Sequence, residues 1–258
     1  MIENTRRWLM TCAAATALLA GTAPLLYAQD KPATATPAKK APAPKESATE
    51  PKTRPGNWMK RHEDYLKEVR EKAGKVDVLF VGDSITDGWH GRGKEAFAKT
   101  WEPLKTFNTG IGGDRTQHVI WRLQNGEVAG ISPKVAMMMI GTNNLGSNTN
   151  EEIVQGITAC VNELHKQLPT TKVLLLGIFP RDEKPNTDRR NRIKAINEQI
   201  AKLDDGGKTV RYLDIGDKFL EPDGTLSKEI MPDALHPNET GYQVWAAATA
   251  HTLAEMMK

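Results

Sequence analysis

Short apolar runs alternate with amphipathic segments from about residue 58 to the end of the chain. Buried strands are predicted by four runs rich in Val, Ile, Leu and Met: residues 76–81, 135–140, 173–179 and 210–215. A fifth and shorter strand is expected around residues 106–108. Apolar positions at helical spacing predict helices over residues 58–72, 117–123, 151–168, 188–203 and 241–257. Strands alternating with helices indicate an α/β domain, with a parallel sheet covered by helices on both faces.

The first 28 residues have the pattern of an export signal. Arg6 and Arg7 precede an apolar stretch over residues 8–26, and Ala28 supplies a small residue at its exit. This order of features is that of a secretory signal peptide, so we expect cleavage after Ala28 and a secreted or periplasmic protein. The alternative is a retained membrane anchor, because the stretch approaches the roughly 20 residues that span a bilayer.

Residues 29–57 consist mainly of Pro, Ala, Lys and Thr. Ordering such a segment would bury too little apolar surface to offset the entropy cost. The composition therefore predicts a disordered tether, extended by its prolines, followed by a folded domain over residues 58–258.

Charge and cysteine content exclude two classes of protein. The chain has a net charge of +3, but residues 29–57 alone hold six Lys or Arg and only three Asp or Glu. The domain that follows is nearly neutral, which gives no electrostatic argument for nucleic-acid binding. Two cysteines, Cys12 and Cys160, exclude a disulfide scaffold and a Cys-rich zinc module.

Polar residues follow the predicted strands, at the edge of a parallel sheet where ligands collect. Gly-Asp-Ser after the first strand presents Ser84, and Gly-Thr-Asn after the third presents the neutral donor Asn143. Between them, residues 110–113 contain three glycines in four positions, Gly113 being the last. Such a loop leaves backbone N–H groups free to donate. Each motif also has a plain structural explanation, as a helix cap, an Asx turn or a tight turn.

Asp233 precedes His236 by three residues, just before the last predicted helix. At this spacing a carboxylate can orient the imidazole ring and favour its protonated form. Taken with the strand-end loops, the pair completes a nucleophile, oxyanion donors, a base and its orienting acid. That is the full set of groups for acyl transfer.

These motifs resemble the signature blocks of the SGNH (GDSL-type) hydrolases. The blocks are Gly-Asp-Ser at 82–84, Gly113, Gly-Thr-Asn at 141–143 and Asp-x-x-His at 233–236. Residues 108–114, 118–127 and 180–181 are similar in particular to the catalytic subunits of platelet-activating-factor acetylhydrolase Ib. The resemblance covers about residues 58–257. The signal and the tether depart from these cytosolic enzymes.

The resemblance implies a flavodoxin-like, three-layer α/β/α fold with about five strands, and ester hydrolysis without a metal or other cofactor. It makes Ser84 the nucleophile, with Asp233 and His236 as the acid–base pair. It assigns the oxyanion hole to the Ser84 N–H, the Gly113 N–H and the Asn143 side chain. A homodimer is also in keeping with the resemblance.

We therefore expect an exported serine esterase that hydrolyses short-chain, in particular acetyl, esters on carbohydrate or another small extracellular substrate. An acyltransferase that passes the acetyl group to a sugar hydroxyl fits the same residues. So does an acylhydrolase of the lysophospholipase or thioesterase type. A non-catalytic carbohydrate-binding module on this fold would tolerate the loss of Ser84, Asn143 or His236, and none is lost.

Overall fold

The computed structural model describes residues 46–258, and its centre is a five-stranded, all-parallel sheet. The strands are β1 (Val78–Gly82), β2 (Thr106–Asn108), β3 (Val135–Met139), β4 (Lys172–Leu176) and β5 (Val210–Leu213). They lie in the order β2-β1-β3-β4-β5. This is the flavodoxin-like order, so the predicted fold class is confirmed, including the short strand at residues 106–108.

Helices cover both faces of this sheet. They are α1 (Asn57–Glu71), α2 (Ser84–Asp87), α3 (Lys94–Thr100), α4 (Thr116–Gln124), α5 (Asn150–Gln167), α6 (Asp188–Ile200) and α7 (Glu239–Met256). Buried side chains of α1, α4, α5 and α6 share one core cluster, and those of α3 and α7 share the other.

Strand β1 shows how the sheet supplies both cores. All five of its residues are buried. Leu79 and Val81 contribute to the cluster beneath α1 and α4, while Val78 and Phe80 contribute to the cluster beneath α7. Because successive side chains of a strand point to opposite faces, a continuous apolar run is what a strand covered on both sides requires.

Strand β4 ends earlier than the apolar run predicts. The run continues to Phe179, but the strand stops at Leu176. The reason is that the Asn197 side chain, in place of a neighbouring strand, forms the hydrogen bonds of the Ile178 backbone. The Ile178 N–H donates to Asn197 Oδ1 at 2.9 Å, and Asn197 Nδ2 donates back to the Ile178 carbonyl at 3.0 Å. Ile178 is therefore buried and fully bonded without being part of a strand.

Helix α3 was not predicted, because its seven residues are too few for a periodic pattern to be visible. It is stabilised by aromatic packing. Phe97 and Trp101 contact Phe80 of β1 with ring centroids 6.0 and 5.4 Å apart, and Trp89 stacks between them and α7.

Residues 46–56, which we call the N-terminal strap, lie against the domain. This corrects the predicted boundary, because contacts with the domain are already present before residue 58. Thr116 Oγ1 donates to the Ala48 carbonyl at 2.6 Å, and Asn148 Nδ2 donates to the Glu46 carbonyl at 2.9 Å. The strap is bound mainly by polar contacts of this kind, which a search for apolar periodicity does not detect.

The predicted signal peptide and residues 29–45 of the predicted tether lie outside the described residues. Within residues 46–258, no helix combines the length and the apolar character needed to cross a bilayer.

Gly110 offers a test of how tightly the loop after β2 packs on α2. A Cβ at this position would lie 2.7 Å from the Thr86 carbonyl carbon and 2.8 Å from the Asp87 Cα, both backbone atoms. We expect Gly110→Ala to lower the free energy of unfolding by about 1–3 kcal/mol or more, the usual cost of overpacking. Urea denaturation measures the difference.

Gly146→Ala is the matched control, since a Cβ there meets nothing within 4 Å. Its effect should stay within about 0.5 kcal/mol. Equal stability of the two variants would mean that the loop yields to the added methyl group.

Candidate active site

Ser84 stands at the carboxyl end of β1, as the first residue of α2. The chain leaves the sheet sharply at Gly82, where a Cβ would lie 2.5 Å from the Met139 carbonyl oxygen of β3. Asp83 caps α2, because its Oδ1 accepts the Ile85 N–H at 3.0 Å. The glycine and the cap together fix the direction in which Ser84 leaves the sheet.

The structure brings Ser84, His236 and Asp233 into one chain of contacts. Ser84 Oγ lies 2.9 Å from His236 Nε2. On the other side of the ring, His236 Nδ1 donates to Asp233 Oδ2 at 2.7 Å. A carboxylate only accepts hydrogen bonds, so this contact places the ring proton on Nδ1 and leaves Nε2 free to accept a proton.

The turn that carries Asp233 is held from both sides. Asp233 Oδ1 accepts the His236 N–H at 2.7 Å and the Leu235 N–H at 3.1 Å. Between them Ala234 has a φ of 55°, and its carbonyl accepts the Asp182 N–H at 3.0 Å. Partial burial opposes ionisation, but the bonds from the His236 backbone and ring hold the pKa of Asp233 below its ordinary value.

The glycine-rich loop after β2 lies beside Ser84. A Cβ on Gly112 would be 3.8 Å from the Ser84 Cβ. Gly113 has a φ of 78°, a conformation that glycine adopts without strain. Within residues 46–258, neither the Ser84 nor the Gly113 backbone N–H donates to a protein acceptor. Two unpaired donors therefore stand near the serine.

Asn143 begins the loop after β3 and is tied to the same glycine-rich loop. Its Nδ2 donates to the Asp114 carbonyl at 2.8 Å. An amide nitrogen carries two hydrogens, so one remains for a further acceptor. All five residues that the sequence singled out thus lie in segments that meet at one edge of the sheet: Ser84, Gly113, Asn143, Asp233 and His236.

Known proteins are similar to this chain in sequence. The family model for GDSL-like lipase/acylhydrolase matches residues 80–244. The chain belongs to this family. The platelet-activating factor acetylhydrolase IB subunit alpha1 of Homo sapiens is 37% identical over 187 residues, which cover 72% of this chain and 78% of the relative. The similarity to esterases and acetylhydrolases makes the protein an ester-hydrolysing enzyme.

Solved structures of GDSL hydrolases have the same fold. A GDSL-like lipase from Bacteroides thetaiotaomicron superposes with a TM-score of 0.63 at 19% identity, over 75% of this chain and 97% of that one. A variant of an acetyl-xylooligosaccharide esterase from Geobacillus Stearmophilus gives a TM-score of 0.56 at 19% identity, over 72% and 96% of the two chains.

A buried ion-pair network fixes Asp114, at the end of the glycine-rich loop of this GDSL hydrolase. Arg122 Nε donates to Asp114 Oδ2 at 2.9 Å, and both side chains have no exposed surface. The same guanidinium donates to the Thr109 carbonyl and to Glu127. Trp58 Nε1 donates to Asp114 Oδ1 at 2.7 Å. The Asp114 carboxylate is therefore held by α1, α4 and Arg54, whose Nη1 donates to Oδ1 at 2.9 Å.

Sequence reasoning assigned no role to Arg54 or Arg122. Arg54 belongs to the segment predicted to be a tether, and its long-range contacts have no local signature. The sequence does contain a signal for Arg122, because this charged residue lies on the apolar side of α4 beside Val119 and Leu123. A buried arginine in such a place requires partners, and here it ties the strand-end loops together.

An open cleft of roughly 800 Å³ leads to Ser84. Its charged lining residues are Arg54, Arg61, Asp87 and Arg92. Arg61 Nη2 donates to Asp87 Oδ1 at 2.8 Å, so this pair is neutral. Charged side chains thus line part of the approach to the serine. Among the described residues, no group of three or more His, Cys, Asp or Glu side chains is arranged to hold a metal ion.

The pKa of Asp83 predicts a dependence of stability on pH. Burial, with a contribution from the Asp114 charge, raises this pKa from an ordinary 3.8 to about 7, although the Ile85 N–H bond opposes the rise. The folded protein therefore binds the proton more readily than the unfolded chain. Stability from this group is complete below pH 4 and is lost as the pH rises towards 7.

We expect Asp83→Asn, which keeps an acceptor for the Ile85 N–H, to unfold at a higher temperature than the wild type at pH 8. The gap should close as the pH falls to 4, because the wild-type carboxyl is then neutral as well. Scanning calorimetry from pH 4 to 8 measures it. A gap that stays constant over this range would show that Asp83 does not titrate there.

Proposed function

We propose that the protein is an exported serine esterase that removes short acyl groups, acetyl above all, from carbohydrate or another small extracellular substrate. Ser84 is the nucleophile, His236 the general base and Asp233 the residue that orients it. The Ser84 N–H, the Gly113 N–H and the Asn143 side chain form the oxyanion hole. The observation that carries the proposal is the Ser84–His236–Asp233 chain of contacts beside an open cleft that has charged side chains in its lining.

The cleft supports a small, polar ester over a fatty one. Four charged side chains line it, and the apolar lining beside Ser84 is limited to Pro55, Trp58 and Ile111. A fatty chain needs a continuous apolar channel to repay its desolvation, about 0.8 kcal/mol for each buried CH₂. Trp58 and Ile111 are themselves buried, so these side chains can contact an acetyl group but give a long chain little to bind.

The names of two similar proteins indicate the same acyl group. The Homo sapiens relative is named for an acetylhydrolase and the Geobacillus Stearmophilus neighbour for an acetyl-xylooligosaccharide esterase. The two names differ in the rest of the substrate, platelet-activating factor in one and a xylooligosaccharide in the other. We therefore extend only acetyl cleavage to this chain from both, and we base the polar alcohol component on the cleft.

Acylation of Ser84 is the first step. The Ser84 Oγ attacks the ester carbonyl carbon while His236 Nε2 takes the hydroxyl proton. The carbonyl oxygen becomes negatively charged and accepts hydrogen bonds from the three oxyanion donors. The bond to the alcohol oxygen then breaks, His236 returns its proton to that oxygen, and the acyl group stays on Ser84.

Hydrolysis of the acyl-enzyme completes the cycle. Water enters the open cleft and gives a proton to His236 as it attacks the acyl carbon. The oxyanion hole again holds the negative charge, and the bond to Ser84 Oγ breaks with return of the proton to that oxygen. Asp233 accepts from the ring Nδ1 throughout, so it stabilises the imidazolium that forms twice in each cycle.

Export rests on the sequence pattern of residues 1–28, which lie outside the described residues. We expect the mature protein to begin just after Ala28 and to be recovered outside the cytoplasm. N-terminal sequencing of exported protein tests this. A chain that begins at Met1 in washed membranes would identify an anchor instead. The homodimer stays a prediction.

Acyl-chain length tests the proposed specificity. With p-nitrophenyl esters we expect kcat/KM to be highest for acetate, lower for butyrate and about 100-fold lower for octanoate. Acetylated xylooligosaccharides should release acetate, and Ser84→Ala should lose activity on every ester by several orders of magnitude.

Two results would overturn parts of this proposal. A kcat/KM that rises steadily to octanoate would make the enzyme a lipase. Net transfer of acetyl to an added sugar, in place of release of free acetate, would make it an acyltransferase.

A further inference from the structure

Arg54, at the end of the N-terminal strap, lies against the glycine-rich loop. Its Nη1 donates to the Gly112 carbonyl at 2.8 Å and to Asp114 Oδ1 at 2.9 Å. The guanidinium also packs on Gly113, where a Cβ would lie 2.7 Å from Arg54 Nη2.

The carbonyl that Arg54 binds belongs to the same peptide group as the Gly113 N–H. A trans peptide is planar, so its C=O and N–H point in opposite directions, and a bond that fixes one fixes the other. The structure has no cis peptide bond among the described residues. With the carbonyl held by the strap, the N–H of Gly113 is directed away from it and stays unpaired within residues 46–258.

Without the hydrogen bond from Arg54, the plane of the Gly112–Gly113 peptide could rotate to the opposite orientation. Residues 111–114 form a β-turn, closed by the Asp114 N–H donating to the Ile111 carbonyl at 3.1 Å. The Gly112–Gly113 peptide is the central one, and turn types I and II differ in which way the central peptide faces. Two glycines impose no side-chain preference between the two orientations. A hydrogen bond from a residue outside the turn is therefore needed to select one orientation of this peptide.

We propose that Arg54 is a positioning residue for catalysis: its hydrogen bond to the Gly112 carbonyl holds the Gly113 N–H in the orientation that an oxyanion needs. The proposal rests on the proposed function, which makes this N–H an oxyanion donor. A charged donor on the carbonyl also polarises the peptide, so the N–H on the far side becomes a stronger donor.

Removal of Arg54 should leave the fold intact. Asp114 keeps its bonds from Arg122 and Trp58, so the buried carboxylate is not left unpaired. The strap keeps its other attachments, which involve Glu46 and Ala48. The effect of the substitution should therefore be on the rate of the reaction and not on stability.

A purely structural role is the competing explanation, in which Arg54 only fastens the strap. Glu46 separates the two roles, because it anchors the other end of the strap without touching residues 110–113. Its carboxylate accepts from Lys52, Arg115 and Gln117. Glu46→Gln weakens this attachment and is the matched control.

The experiment compares wild type, Arg54→Ala, Arg54→Lys and Glu46→Gln by two readouts, kcat and KM for p-nitrophenyl acetate and the rate of labelling by a fluorophosphonate. For Arg54→Ala we expect kcat and the labelling rate to fall about 10- to 100-fold, with KM within about threefold. That is less than the 10²–10³-fold cost of deleting an oxyanion donor. Arg54→Lys should recover part of the loss, and Glu46→Gln should react like wild type.

Added guanidinium, below denaturing concentrations, should partly restore the reaction of Arg54→Ala. Unchanged rates for Arg54→Ala, or an equal loss in Glu46→Gln, would overturn the proposal and leave Arg54 as a strap contact. Failure of the proposed function has a different signature, which is a wild type that is labelled by the fluorophosphonate but does not cleave acetyl esters. The labelling rates of the variants then still decide the role of Arg54.

Discussion

The buried pair of Arg122 and Asp114 is the interaction on which the rest of the site depends. The Arg122 guanidinium reaches the Gly82 carbonyl at the end of β1, at 3.4 Å, and the Thr109 carbonyl after β2, at 2.9 Å. Asp114 ends the glycine-rich loop, and its own carbonyl holds Asn143. Removing one partner of such a pair typically costs about 3–5 kcal/mol, because the other charge stays buried. Here it would also release the loops that carry the donors.

The sequence predicts the features that neighbouring residues encode, and it does not predict contacts between residues far apart in the chain. The strands were visible because parallel strands buried on both faces are continuous apolar runs, and the five site residues because each stands in a short motif beside a strand end or a helix. The contacts of the strap with the domain could not be predicted from the sequence. Its contacts to Thr116 and Asn148 are hydrogen bonds between residues 68 and 102 positions apart, and its composition is that of a disordered segment. Arg54 was missed for the same reason.

Chemistry and specificity have separate origins in this fold. The parallel sheet brings the ends of β1, β2 and β3 to one edge, and this places Ser84, the glycine-rich loop and Asn143 side by side. Specificity comes from what surrounds that edge. In this chain the strap and α1 contribute Arg54 and Arg61, and the segment after α2 contributes Arg92, so the approach to Ser84 is charged and open.

The central claim is that these loops form one site in which Ser84 carries the acyl group. The most direct measurement is mass spectrometry of enzyme mixed with p-nitrophenyl acetate and quenched in acid within milliseconds. We expect one acetyl group on the peptide that contains Ser84, present during turnover and absent after the substrate is consumed. Turnover without a covalent acetyl group, or an acetyl group on another residue, would contradict the account.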